Sequence, residues 1–246
     1  MITIVGSYLS PYVRKVLVCL EIKGIPYLVD PIVPFYGNDE FGIISPVRRI
    51  PVLIDDGLVI PDSTIICEYL EDRYPQTPLY PQSPMQKARA RWLEEYADSR
   101  MGQVFIWSYF NEIVIRPFVW GEQTDHAVLK KTLEQDIPQI LDYLEGNIPV
   151  EGFLFGDVSV ADISLASFFR NLQMAGFQLD GAIWPSTRRF VEEVLQLHSF
   201  QKLLPYEELS ITTPIQNHRE SLLASGAPIS PTSFFTRNPK RGLLST

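Results

Sequence analysis

The chain has 246 residues, 46% apolar and 20% charged, and its 21 basic and 29 acidic side chains leave a net charge of −8. That acidic balance argues against a nucleic-acid binder, which needs a basic footprint for phosphates. No apolar run approaches the roughly 20 residues of a membrane helix, no secretion signal is evident at Met1–Gly6, and Cys19 and Cys67 make no disulfide framework, so the expectation is a cytoplasmic globular protein.

Taken in chain order, Ile2-Thr3-Ile4-Val5 is a short β-branched strand ended by Gly6-Ser7. Pro11 suits a first helical position with Ser10 as its cap. Val13, Val16, Leu17 and Leu20 form one apolar stripe, and Lys23-Gly24 closes the helix. Tyr27-Leu28-Val29 reads as a second strand, completing a βαβ unit over 2–33. Pro51–Ile54 and Leu58–Ile60, separated by Asp55-Asp56-Gly57, read as a hairpin. A helix is predicted from Ser63 to Tyr74 with Ile66, Tyr69 and Leu70 inward. Pro75, Pro78, Pro81 and Pro84 mark a domain boundary. Helical patterns then cover about 85–115, 126–146, 159–175 and 185–204. Residues 210–246 carry 4 basic and 1 acidic side chains among Pro, Ser and Thr. That composition predicts a basic tail, its charge able to hold it loosely on the acidic helical body.

Five motifs stand in register. They are Ser10-Pro11-Tyr12, Arg49-Ile50-Pro51-Val52-Leu53, Asp62-Ser63, the Tyr74-Pro75 and Leu79-Tyr80-Pro81 linker, and Ser159-Val160-Ala161-Asp162. Over roughly residues 1–205 the chain resembles the cytosolic glutathione transferases, and its Ser-Pro-Tyr is similar to the tau class. The resemblance implies an α/β plus all-α fold: a thioredoxin-like glutathione-binding domain at 1–78, a helical-bundle electrophile-binding domain at 84–209, and the tail at 210–246. It also implies a homodimeric detoxification enzyme with glutathione as cosubstrate, no bound cofactor and no metal.

Residue by residue, the resemblance makes Ser10 the hydroxyl that hydrogen-bonds the glutathione sulfur. Tyr8 is the rival for that role and otherwise a wall of the electrophile pocket or a core aromatic; Ser7 is a weaker candidate. Ile50-Pro51 resembles the family's cis-proline site, which would leave the Ile50 backbone to pair with the cysteinyl unit like an added strand. Arg49 would meet the glycine carboxylate, and Arg48 departs from the glycine common at its place. Asp62 and Ser63 would hold the γ-glutamyl end. Tyr12, Met101 and Phe105 are the further electrophile-pocket candidates, and Asp98 is a candidate to reach a neighbouring subunit's glutathione. The Ser159–Asp162 motif fits a capping box, structural in both readings. Cys19 and Cys67 read as buried fillers. Besides thiol transfer to a hydrophobic electrophile, two alternatives remain: peroxide or disulfide reduction at the same site, and an interaction protein that kept the fold without catalysis.

Overall fold

The computed structural model describes residues 1–241. The chain divides into two compact units, residues 1–77 together with the chain from His198 onward, and residues 78–197.

The first unit is built on four strands. β1 (Ile2–Val5) and β2 (Tyr27–Asp30) are joined by α1 (Pro11–Lys23) and pair in parallel. After a 3-10 turn and α2 (Asp39–Ile44), β3 (Val52–Asp55) pairs antiparallel with β1, and β4 (Leu58–Ile60) with β3. The sheet order is β2-β1-β3-β4, a thioredoxin-like arrangement. The β3–β4 turn uses Asp56 at φ 47° and Gly57 at φ 86°. These two positive φ values match the right-handed strand twist, as the Asp-Gly pair predicts. α3 (Ser63–Arg73) follows. α1 ends where expected, Gly24 taking φ 67° as its left-handed cap.

The second unit is helical among its described elements. α4 (Pro84–Tyr96) runs into a π-helical segment, Ala97–Trp120. There the Ser108 hydroxyl donates to Gln103 O, five residues back, at 3.1 Å. α5 (His126–Lys131), a π-helical turn and α6 (Ile137–Glu145) come next, then α7 (Val160–Met174) and α8 (Pro185–Leu195). α7 is buried nearly all round. Its start is organised by Asp162, whose carboxylate accepts the Ser159 N–H at 2.9 Å, the Ser159 hydroxyl at 2.5 Å and the Leu154 N–H at 2.9 Å. The predicted helix over 185–204 is broken: α8 stops at Leu195, and α9 (His198–Gln201) and α10 (Leu204–Thr212) belong to the first unit.

The expected tail is corrected for its described part. α11 (His218–Ala224) and the strand-like segment beyond it lie on the first unit, not loosely on the helical one. Val29 N–H donates to Pro228 O at 2.7 Å and Ser230 N–H to Val29 O at 2.9 Å, so the segment covers the outer edge of β2. Buried Asp30 accepts the Ser233 hydroxyl at 2.6 Å, the Phe234 N–H at 2.8 Å and Arg219 at 3.4 Å. Phe234 and Phe235 pack on the cluster of Val5, Ile32, Phe41 and Val52. Composition averaged over 37 residues conceals this, because a few apolar side chains and one buried acceptor suffice to anchor the segment. Residues 242–246 of the predicted tail lie outside the described residues. Among the described residues, no helix is long and apolar enough to cross a membrane.

Candidate functional site

Ser10 and the Ile50-Pro51 peptide, both expected from the sequence, lie beside one another in the first unit, and strand register explains why. Val5 pairs with Val52 in antiparallel strands, so the end of β1 adjoins the start of β3. The loop Gly6–Ser10 therefore leaves the sheet beside the Ile50-Pro51 peptide, which is cis. Gly6, at φ 154°, makes that approach possible. A Cβ there would stand 2.5 Å from Val13 Cγ2 and 3.2 Å from Ile50 Cβ. Only glycine has both the conformation and the room. Among the described residues, the Ile50 N–H and C=O make no backbone hydrogen bond, leaving an open edge beside the turn into α1.

The second convergence is between helices. Lys15 Nζ donates to Thr64 Oγ1 at 3.2 Å, the Cys19 and Cys67 sulfurs lie 3.8 Å apart, and Lys23 Nζ donates to Glu71 at 2.8 Å. Both members of each pair advance along their helix in the same direction, so α1 and α3 run parallel with their N-termini at the same end. Two positive helix-dipole ends therefore lie together, a suitable environment for anionic groups.

Ser10 caps α1 from an extended conformation (φ −81°, ψ 127°) and is half-buried. Its Oγ accepts the Val13 N–H at 3.4 Å, a long contact that leaves the hydroxyl proton for another acceptor. Asp62 caps α3, its Oδ1 accepting the Thr64 and Ile65 N–H groups at 2.9 and 3.0 Å. One carboxylate oxygen thus serves the helix end, and Ser63 behind it is buried at the first helical position. Arg49 is exposed, with its backbone clasped on both sides by the Ser45 hydroxyl at 2.8 and 2.9 Å. Arg48 takes φ 51°, the left-handed region where glycine costs least, which accounts for the glycine common at this place and not for the arginine. Its guanidinium is held by Gly37 O, by Asn38 O at 3.3 Å, and 5.5 Å over the Phe41 ring. It is committed to its own loop.

The aromatic candidates separate. Tyr12 is half-buried in the first turn of α1. Tyr8 is 1% exposed, its ring centroid 5.2 Å from that of Tyr206. Burial, with the nearby Tyr206 and Glu21, pushes its hydroxyl far above the ordinary phenol range, so Tyr8 is a core residue. Met101 and Phe105 are wholly buried in the second unit, Phe105 edge-to-face with Phe169 at 5.3 Å. Asp98 lies in the first turn of the π-helical segment, half-buried.

Sequence reading passed over Arg14 and Lys15, both fully buried. Arg14 forms a buried ion pair with Glu207 of α10 and donates to Tyr8 O at 3.3 Å, in the loop that ends at Ser10. The signal was present: two adjacent cations interrupt the apolar run Val13–Leu20 on a helix that is buried nearly all round. Among the described residues, no cluster of His, Cys, Asp and Glu is arranged to hold a metal ion.

Two family models match the chain, the glutathione S-transferase N-terminal domain over residues 4–78 and the C-terminal domain over 106–198. The GST-like protein YibF of Escherichia coli is 30% identical over 208 residues, covering 82% of this chain and 98% of its own. A stringent starvation protein A homolog of Haemophilus ducreyi is 26% identical over 191 residues, covering 78% of this chain and 84% of its own. The crystal structure of a glutathione S-transferase from Rhodospirillum rubrum superposes with a TM-score of 0.75 at 27% identity, covering 83% of this chain and 92% of that one. With both domain models in register and the thioredoxin-like sheet followed by helices, the chain belongs to the glutathione S-transferase family.

Proposed function

We propose that the protein is a glutathione transferase in which the Ser10 hydroxyl donates to the glutathione sulfur and holds it as a thiolate for attack on a hydrophobic electrophile. The observation that carries this reading is the shared orientation of the α1 and α3 N-termini beside the open backbone edge of Ile50. The cysteinyl unit would pair with Ile50 where cis Pro51 turns the chain. The γ-glutamyl carboxylate would meet Ser63 at the start of α3, with the second Asp62 oxygen near the amino group. Exposed Arg49 would meet the glycine carboxylate. The chemistry requires this help, since a thiol of pKa ~8.5 is only about 3% ionised at pH 7. Lowering that value by about two units takes roughly 2.7 kcal/mol, the order of one charge-assisted hydrogen bond plus a helix dipole. Holding the thiolate and the electrophile together supplies the rest. Cytoplasmic location and a homodimer belong to the same reading, as in most of the family.

Ser10→Ala is expected to lower turnover with an activated aryl halide about 10- to 100-fold. The acid limb of its pH profile should move toward that of free glutathione, with glutathione KM little changed. Unchanged turnover and pH profile would remove Ser10 from the mechanism. Running a hydroperoxide substrate in parallel separates transfer from peroxide reduction.

A second reading, a protein that keeps the fold without catalysis, is favoured by the stringent starvation protein A homolog among the relatives, whose name carries no transferase activity. Glutathione at millimolar concentration should raise the melting temperature if the site binds it. No shift, together with no turnover, would leave the second reading standing.

A further inference from the structure

The chain's two cysteines take no part in that chemistry. Cys19 lies in the third turn of α1 and Cys67 in the second turn of α3. They are 1% and 3% exposed, with sulfurs 3.8 Å apart. They form the middle rung of a three-rung ladder. The rung on one side is Lys15 to Thr64 at 3.2 Å, and on the other Lys23 to Glu71 at 2.8 Å. Lys15, Cys19 and Lys23 are spaced by four on α1, and Thr64, Cys67 and Glu71 by three and four on α3, so each rung lies one turn beyond the last. The outer rungs fix the rotation and register of both helices at the level of the thiols. A disulfide bond is ~2.05 Å long, so the two sulfurs must close by less than about 2 Å.

We propose that Cys19 and Cys67 are a redox-responsive pair, which a hydroperoxide converts into an intrachain disulfide cross-linking α1 to α3. In the first step the Cys67 thiolate attacks the terminal oxygen of the hydroperoxide. The O–O bond breaks, the alcohol (water from hydrogen peroxide) leaves with the thiol's proton, and Cys67 becomes a sulfenic acid. In the second, the Cys19 sulfur attacks the sulfenic sulfur, the S–O bond breaks, and water departs with the second proton. The two thiols together give up two electrons, and the peroxide accepts them. Burial selects a small oxidant and ties the rate to local opening of the α1–α3 seam. The link would join the two helices whose first residues form the proposed glutathione site, but its detection is covalent and independent of that reading.

The test is to expose the reduced protein to hydrogen peroxide below its melting temperature, then alkylate it in denaturant. Intact mass, a peptide map and a melting curve follow. The expected product has both thiols blocked, a chain lighter by two hydrogens, and one cross-linked peptide pair containing Cys19 and Cys67. Its melting temperature should rise on the order of 5 °C, reversed by a dithiol. Cys19→Ser, or Cys67→Ala if the first folds poorly, should show no such rise under the same exposure. Thiols that remain fully alkylatable, oxygen adducts without a link, a disulfide between chains, or an equal melting shift in the single-cysteine variants would each overturn the proposal.

Discussion

Arg48 separates two effects that usually travel together. Its φ of 51° is a conformation that costs a non-glycine residue roughly 1–2 kcal/mol, and its side chain recovers that through two carbonyls and the Phe41 ring. Arg48→Ala keeps the backbone cost and loses the contacts, whereas Arg48→Gly loses the contacts but relieves the backbone. Arg48→Gly should therefore stay near the parent protein and Arg48→Ala should be less stable by about 1 kcal/mol; equal urea midpoints for the two variants would contradict this account. His218, first residue of α11, is 3% exposed and donates through Nε2 to Thr213 O at 3.0 Å. Burial lowers its pKa from 6.5, the carbonyls of Thr213 and Ser210 opposing that in part. Just below pH 6.5 the unfolded chain therefore binds more protons than the folded one. The stability contributed by neutral His218 is intact above that pH and is lost as pH falls through the window beneath it. Asp30 acts in the opposite sense, because burial raises its pKa above 3.8 despite the Ser233, Phe234 and Arg219 contacts. Its protonation on acidification favours the fold. His218→Gln should flatten the slope below pH 6.5, and urea unfolding across pH would find the slope unchanged if the ring is not responsible.

At the scale of elements, local signals and long-range ones part company. The cap at Ser10, the Asp-Gly turn and the left-handed stop at Gly24 were legible because each is settled by sterics and hydrogen bonds within a few residues. The burial of α1 on all sides was not, since the amphipathic pattern leaves Arg14 and Lys15 apparently free to face solvent. Their partners, Glu207 and Thr64, are 193 and 49 residues away. Arg14 and Glu207 are both essentially inaccessible. Removing one charge from such a pair leaves the other uncompensated, so Glu207→Ala should cost about 3–5 kcal/mol. Replacing both, as Arg14→Met with Glu207→Leu, should recover most of the loss. A double variant no more stable than the single one would show that the cost lies in packing. Met101 and Phe105 raise the same question: four residues apart, they share a helix face, but spacing alone does not say whether that face meets a ligand or the core.

For the whole molecule, the chain leaves the first unit after Thr77 and returns to it at His198. The returning segment supplies Glu207 to α1, Tyr206 to Tyr8, and a backbone partner to the outer edge of β2. Truncation after Ala227 should uncover that edge and lower the melting temperature, with self-association visible by size exclusion. Truncation after Leu197 should be far worse, since it also leaves Arg14 buried without its carboxylate. Equal melting temperatures for the two would mean that α9–α11 contribute little to the first unit.

By itself the sequence determined the four strands, the starts and stops of α1 and the β3–β4 turn, the five family motifs and hence the fold, because caps, turns and periodicity act over one or two turns of chain, whereas the breaks after Leu195 and the helix at His218–Ala224 escaped it. Only the tertiary structure decided that Ile50 stands beside the turn into α1, that α1 and α3 start at the same end, that Cys19 meets Cys67, and that the presumed tail closes the sheet. Those contacts join residues tens to hundreds of positions apart, and strand register and helix direction, which no local pattern encodes, bring them together.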